Sequence, residues 1–393
     1  MGAAQMTAGW YVPTSFEVAS GWVHGQVSAP SPLVEWPDES PAAALREVLR
    51  QEVLQGACVV PFSGGRDSSL VLAVACSVAR ETGSTLPTAF TFRHPGIPES
   101  DESSWQELVM EHLRGLGLQP DWRLRNITDE LDVVGPVMAP LLEQLGHSVW
   151  PPNMATMITL AGENPGATIL SGEYGDAILG ERRATVLAGA VRRRGRGLST
   201  RYWRAVAQAG SPRLLVAAAT RAGGRYPSWL SVQGRRRWRR LAAADALRDR
   251  LRYDRNLWRT PFWRGPFLGM SNLAQVCQRY GCTLVSPLAH PRVISALAAH
   301  GGWRGPQSRG YATRLLGEDL LPDKLYGRRT KANFTQSRFN RHTIATVDAW
   351  RGQGVNQKWV DVGRLKAAWE AREFHPQMSG LVQSVWLAQR GIL

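Results

Sequence analysis

Cysteine, lysine and long apolar runs are all scarce in this chain of 393 residues, and each shortage narrows what it can be. The four cysteines, Cys58, Cys76, Cys277 and Cys282, follow no zinc-ligand spacing and are too few for a disulfide-stapled secreted scaffold, which points to the cytoplasm. No apolar run approaches the roughly 18 residues that cross a bilayer, so no membrane partner is expected. The first residues lack the basic stretch and apolar core of a signal peptide, and Met6 stands where a myristoylation signal needs Ser or Thr. Acids are outnumbered: 32 Asp and Glu face 47 Lys and Arg, a formal charge of +15. From Arg182 to Arg264 there is no lysine and few acids, and arginine gathers in two runs, Arg192-Arg193-Arg194-Gly195-Arg196 and Arg235-Arg236-Arg237-Trp238-Arg239-Arg240. Such runs commonly form solvated helix faces, although a basic surface also attracts polyanions. With 44% hydrophobic and 20% charged residues, the chain is globular rather than disordered.

What is present is organised around residues 58–69. The short apolar run Cys58-Val59-Val60-Pro61-Phe62 reads as a buried strand, and Leu70 to Ala75 has helical apolar spacing. Ser63-Gly64-Gly65-Arg66-Asp67-Ser68 lies between them. Two glycines allow a sharp turn and close approach of a ligand, and Ser68 and Ser69 open the helix at its electropositive end. Strand, Gly-rich loop and helix N-terminus together suit a phosphate-type anion. No Gly-Lys-Ser/Thr follows, so this is not the Walker pattern. Asp67 beside phosphates calls for a divalent cation, and Mg²⁺ commonly bridges one or two carboxylates to phosphate. The six-residue string resembles the pyrophosphatase loop, or PP-loop, of the ATP pyrophosphatases, which cleave ATP between the α and β phosphates and adenylate a substrate.

Thr88 to Phe92 reads as a second strand and Ala167 to Leu170 as a third, with helices from Ser40-Pro41 to about Leu54, from Trp105 to Leu116, and from Met154 to Ala161. Residues 129–147 look helical, with breaks at Gly135-Pro136 and Pro140. Strands alternating with helices predict an α/β fold, a doubly wound parallel sheet with its site at the carboxyl ends of the strands and a helical C-terminal part. Residues 1–39 read as a short arm of β character, extended around Gly21 to Val27. Residues 40–393 read as one synthetase domain, with an Arg-rich helical insertion at 182–264.

The third strand ends in Ser171-Gly172-Glu173-Tyr174-Gly175-Asp176, a second Gly-containing loop with acids. In the expected sheet it lies near the first. Asp67 and Asp176 then share Mg²⁺, and Glu173 positions or deprotonates an attacking amine. In this order, with Asp101-Glu102 between them, the motifs resemble the synthetase domain of class B asparagine synthetase and its relatives, among them the β-lactam synthetases and the macrolactam synthetases of lasso peptides. The family's second motif usually reads Ser-Gly-Glu-Gly-x-Asp-Glu; here Tyr174 replaces the second glycine and Ala177 the final acid. Leu321-Pro322 to Phe334 resembles the family's Leu-Pro…Arg-x-Lys-x-x-Phe segment, which implies that Lys331 is the catalytic cation. Val285-Ser286-Pro287-Leu288-Ala289-His290 falls where the family tends to have Arg-x-Pro-Phe-Leu-Asp, without its arginine or aspartate.

The resemblance implies ATP bound by Ser63, Gly64, Gly65, Asp67, Ser68, Glu102 and Gly172, Mg²⁺ on Asp67 and Asp176, and catalysis by Glu173 and Lys331. Gly2 follows Met1 where glutamine-dependent relatives expose a nucleophilic cysteine, so the amine is expected to come from elsewhere than glutamine. The expected activity is amide formation from a peptide or small-molecule carboxylate and an amine, closest to macrolactam closure. A processing protease or leader-binding protein of the same pathway is the expected protein partner. The alternatives are a small-molecule amide ligase using free amine or ammonia, and a tRNA-modifying PP-loop enzyme with the arginine runs and Trp203, Trp229, Trp238, Trp258 and Trp263 as its RNA surface. The absence of a metal-type cysteine set and the form of the second motif weigh against nucleic acid.

Overall fold

Ser40 and Pro41 begin the first long helix for the reasons their residue types suggest. In the computed structural model, which describes residues 9–31, 38–192, 200–328, 330 and 332–393, the Ser40 hydroxyl accepts the Ala43 amide at 3.1 Å and Pro41 supplies the fixed φ of a first helical residue. The helix Pro41–Gln55 buries Leu45, Val48 and Leu49 against the helix Arg66–Thr82.

Between and after these helices run β1 (Cys58–Pro61), β2 (Thr88–Arg93), β3 (Trp122–Asn126), β4 (Thr168–Leu170) and β5 (Thr283–Val285). All neighbours pair in parallel, in the order β3-β2-β1-β4-β5. Successive side chains of β1 serve opposite faces. Val60 joins a core with Leu45, Leu72, Val109, Leu297 and Leu316, while Val59 joins one with Phe90, Ile169, Met157, Leu273 and Leu381. Helices therefore cover both faces, the doubly wound arrangement. The chain moves outward from β1 to β3, then returns to the other side of β1 for β4. Carboxyl ends of β1 and β4 thus flank the crevice where the winding reverses, the place where such sheets bind ligands.

The chain's start differs from the expected extended arm. Ser15–Ser20 is helical, held by a capping box in which Thr14 and Glu17 each bond the other's backbone amide, and Phe16 and Ala19 are buried. Pairing around residues 21–27 amounts to one isolated bridge, Gln26 with Trp263. Of residues 129–147 only Ala139–Leu145 is helical, because the turn at Gly135-Pro136 uncouples what precedes it. The Arg-rich region forms the helices Arg183–Arg192, Thr200–Gly210, Arg213–Gly223, Val232–Arg248 and Tyr253–Trp258. Part of its charge is used internally: Arg235 and Arg239 lie over Tyr226 at 5.5 and 4.9 Å, and Arg237 over Phe16 at 5.0 Å. Arg193, Arg194 and Arg196 lie outside the described residues. Among the described residues no helix is long and apolar enough to cross a membrane, and all four cysteines are buried and free.

Candidate active site

β1 runs straight into Phe62-Ser63-Gly64-Gly65, and the helix begins at Arg66. Gly64 has φ +75°, and a Cβ there would lie 3.0 Å from the Gln106 amide nitrogen, so only glycine fits. The Ser68 hydroxyl accepts the Ser63 amide at 3.2 Å and lies 3.0 Å from the Ser63 hydroxyl, which accepts the Gly65 amide at 3.2 Å. These bonds fold the loop into a cup over the helix N-terminus, where an anion meets the positive end of the dipole.

The loop after β4 packs onto that cup. A Cβ on Gly172 would stand 2.9 Å from the Ser68 nitrogen, and one on Gly175 would overlap the Asp67 carboxyl. Tyr174, between them, has φ +70°, a left-handed conformation that costs a non-glycine residue about 1–2 kcal/mol. Its ring packs against the first core, and burial, with Glu173 adding to it, pushes its hydroxyl pKa up. The sheet thus brings Asp67 and Asp176 together, as the motifs imply. One guanidinium joins them. Arg309 Nη2 lies 2.6 Å from Asp67 Oδ2, and Arg309 Nη1 pairs with Asp176 Oδ1. Burial pushes the Asp67 carboxyl pKa up against the pull of Arg309, and the Asp176 charge adds to the rise. Burial also opposes the charge on Arg309, but the two carboxylates outweigh it and raise its pKa.

This donor set fits a divalent cation. Two carboxylates converge on one cation-sized space, and Asp67 Oδ1 is buried without a hydrogen-bond partner. Among the described residues no third His, Cys, Asp or Glu completes a metal cluster, so an ion held here would need further ligands such as phosphate and water.

At the carboxyl ends of β1 and β2 opens a cavity of about 190 Å³, lined by Ser63, Phe90, Phe92, His94, Glu173 and Arg338 among others. Glu173 Oε1 accepts from Asn153 Nδ2 at 3.0 Å, which aims the carboxylate. Arg338 is half-buried; its desolvation works against its charge and lowers its pKa, and Glu173 works for it. Burial, then the charge of Arg338, lower the pKa of His94; its imidazole is neutral at pH 7, with a buried, unpartnered Nδ1. A more open groove of about 480 Å³ adjoins this cavity and shares Phe92, His94, Ser100 and Gln106 with it.

The family model for asparagine synthase matches residues 42–387. The chain belongs to the asparagine synthase family. Among curated proteins none matches it significantly. The family's shared chemistry is ATP-dependent amide-bond formation, generally with Mg²⁺.

For an asparagine synthase domain, several positions are informative. Glu102, expected to contact the nucleotide, has its carboxylate engaged by Arg328. Arg328 also donates to the Gly64 carbonyl at 3.0 Å and lies over Trp105 at 4.6 Å. Glu102 therefore reaches the loop through Arg328. His290, where the family tends to carry aspartate, accepts the Arg292 amide at 3.2 Å and caps the helix Pro291–Gly301. Burial, then Arg292, lower its pKa, which keeps the ring an acceptor. Lys331 lies outside the described residues. Its segment is anchored on both sides: Arg328 Nε donates to the Thr330 carbonyl at 3.1 Å, the Asn333 amide to the Glu99 carbonyl at 2.9 Å, and Phe334 lines the cavity. Arg309, Arg338 and His94 escape a reading of the sequence, since none belongs to a motif with assigned chemistry; Arg328 lies inside the segment 321–334, where the resemblance assigns a role to Lys331 alone.

Proposed function

We propose that this asparagine synthase relative adenylates a carboxylate of a peptide and joins the acyl group to an amine of the same peptide, closing a macrolactam. The observation that carries the adenylating half is the meeting of the two strand-end loops, with Asp67 and Asp176 around one positive charge beside a cup of backbone amides. The peptide half is supported by the aromatic cavity and its adjoining groove, which offer an extended chain room, and by the absence of the family's arginine and aspartate near residues 285–290. The reading sets the reaction in the cytoplasm, on a precursor supplied by a processing protease or leader-binding protein.

A carboxylate oxygen attacks the α-phosphorus of ATP, the bond from that phosphorus to the bridging oxygen breaks, and pyrophosphate leaves. Asp67 and Asp176 would hold a divalent cation, which would supply neutralising charge for the leaving pyrophosphate. The amine then attacks the acyl carbon, its C–O bond to AMP breaks, and the amine proton passes to Glu173, which Asn153 holds in the cavity. Lys331 supplies fixed positive charge for the oxyanion. Binding and placement of the phosphates fall to Ser63, Gly64, Gly65, Ser68 and Gly172.

The RNA reading loses ground on particular residues. Trp229 and Trp258 are buried, their ring N–H groups donating to the carbonyls of Ala19 and Pro30, and Trp238 donates to the Arg225 carbonyl. Trp229 and Trp258 have no face free for stacking on bases, whereas Trp203 is exposed.

The test is release of AMP and pyrophosphate from ATP with Mg²⁺ and candidate precursor peptides, with mass spectrometry of the peptide product. A product lighter by one water, and a loss of about 10²-fold or more in pyrophosphate release for Asp67→Asn, are expected. Full activity in Asp67→Asn would remove the cation site from the mechanism. Amides formed only with free small amines would replace cyclisation by linear ligation.

A further inference from the structure

We infer that Arg309 is a positioning residue with two places: bound to Asp67 and Asp176 while the site holds no nucleotide, and bound to the pyrophosphate once a divalent cation takes over the carboxylates. The inference rests on the reading of the Ser63–Ser68 loop as an ATP site and adds an internal stand-in for the metal.

Two like charges as close as Asp67 and Asp176 repel each other unless a cation lies between them. In the structure that cation is the Arg309 guanidinium. Its partnering is incomplete in a telling way: Asp67 Oδ1 and Arg309 Nε are both buried, and neither has a hydrogen-bond partner. Orphaned buried polar groups are costly, and a bound cation and a phosphate oxygen would satisfy both. The spare acceptor suits a cation and the spare donor suits a phosphate oxygen.

The backbone of Arg309 is fixed while its side chain has somewhere to go. Arg309 is the first residue of the helix Arg309–Gly317, where the Ser308 hydroxyl accepts the Tyr311 amide at 3.1 Å and Thr313 Oγ1 donates to the Arg309 carbonyl at 2.9 Å. A cavity of about 330 Å³, lined by Gly180, Glu181, Gln307 and Ser308 among others, also borders Arg309. A planar guanidinium matches the fork of phosphate oxygens as well as it matches carboxylates, so the same group serves both places.

The test compares the full-length wild type with Arg309→Gln and Arg309→Lys in two binding measurements. The first is Mn²⁺ alone, followed by the loss of its free-ion electron paramagnetic resonance signal. The second is inorganic pyrophosphate, followed by calorimetry at saturating Mn²⁺. Without its resident cation, Arg309→Gln is expected to bind Mn²⁺ about tenfold more tightly, because the competent state no longer has to be freed. Pyrophosphate is expected to bind it about tenfold more weakly, for want of a charge-assisted donor. Arg309→Lys keeps one charge but cannot span both carboxylates; it is expected to show the same opposed shifts at smaller size, and it serves if Arg309→Gln does not fold. A variant that binds Mn²⁺ no better than wild type, while wild type binds pyrophosphate, overturns the role of Arg309 alone. Wild type that binds neither pyrophosphate nor ATP with Mn²⁺ overturns the amide-synthetase reading itself.

Discussion

A methyl group added at Gly175 would overlap the Asp67 carboxyl, whereas one added at Gly115, at the end of the helix Ser103–Gly115, would meet nothing within 4 Å. The contrast separates a demand of the site from a mere preference of the backbone. Gly175→Ala pushes Asp67 off the cation position, and displacement of a reacting constellation by about 1 Å costs roughly 10²-fold in rate. Gly115→Ala removes backbone entropy from the unfolded chain and is expected to stabilise the protein by about 0.4–1 kcal/mol without touching catalysis. Pyrophosphate release and the urea midpoint of both variants check the pair. Equal activity in the two would mean that the second loop does not set the position of Asp67. Tyr174 illustrates the opposite case, a side chain kept in a glycine-like conformation, its strain offset by packing against the core.

The buried pair of Glu102 and Arg328 fixes the PP-loop to the segment that carries Lys331. Both side chains are almost fully shielded, 9% and 4% exposed, and removing one partner of such a pair leaves an uncompensated charge. Arg328→Ala is therefore expected to cost about 3–5 kcal/mol, read in urea denaturation. Arg328→Met combined with Glu102→Leu is expected to recover most of that stability while still losing the hold on the Gly64 carbonyl, and with it activity. A single variant that unfolds at the wild-type urea concentration would show the pair to be dispensable. Legibility in the sequence follows the same logic of local against distant causes. β1, β2 and the start of the helix at Ser40 are readable because apolar runs and caps act within a few residues. β3, Trp-Arg-Leu-Arg-Asn, is an exposed edge strand and carries no apolar signature, and β5 spans only three residues. The helix Ser15–Ser20 is too short for periodicity, although Thr14 and Glu17 carry the spacing of a capping box. Asp67 and Asp176 are legible because each closes a strand-loop motif. Arg309 is 242 residues from Asp67 in sequence, inside a Gly-rich stretch, and only the folded sheet makes them neighbours.

Across the whole molecule the chain's beginning is tied to its middle and end. Trp229 donates to the Ala19 carbonyl at 2.8 Å, Trp359 to the Ser15 hydroxyl at 3.2 Å, and Arg264 Nη1 lies 3.0 Å from Glu17 Oε1. Glu17 is the hub, since Oε2 accepts from the Tyr11 hydroxyl at 2.7 Å and the Thr14 amide at 2.9 Å. Burial alone would raise its pKa, but the hydrogen bonds from Tyr11 and Thr14 and the charge of Arg264 outweigh it and hold the carboxyl below the usual range. The sign of the pH dependence follows. A carboxylate with a depressed pKa in the folded state adds stability above its unfolded value, about 4.3 for Glu, and that stability is lost as pH falls through the folded value. Glu17→Gln is expected to cost about 1.5–3 kcal/mol at pH 7, the worth of hydrogen bonds to a charged group. The gap should be unchanged at pH 6, begin to narrow as pH falls below about 4.3, and close as pH falls through the depressed folded value, where wild type protonates the same carboxyl. Denaturant unfolding of both proteins across that range measures it. Parallel curves down to pH 3 would assign the acid sensitivity to other carboxylates and leave Glu17 a neutral hydrogen-bond acceptor. None of Tyr11, Thr14, Glu17 and Arg264 lines the cavity or the groove at the strand ends, so pyrophosphate release by folded Glu17→Gln should match wild type at neutral pH, separating the chain's anchoring from its chemistry.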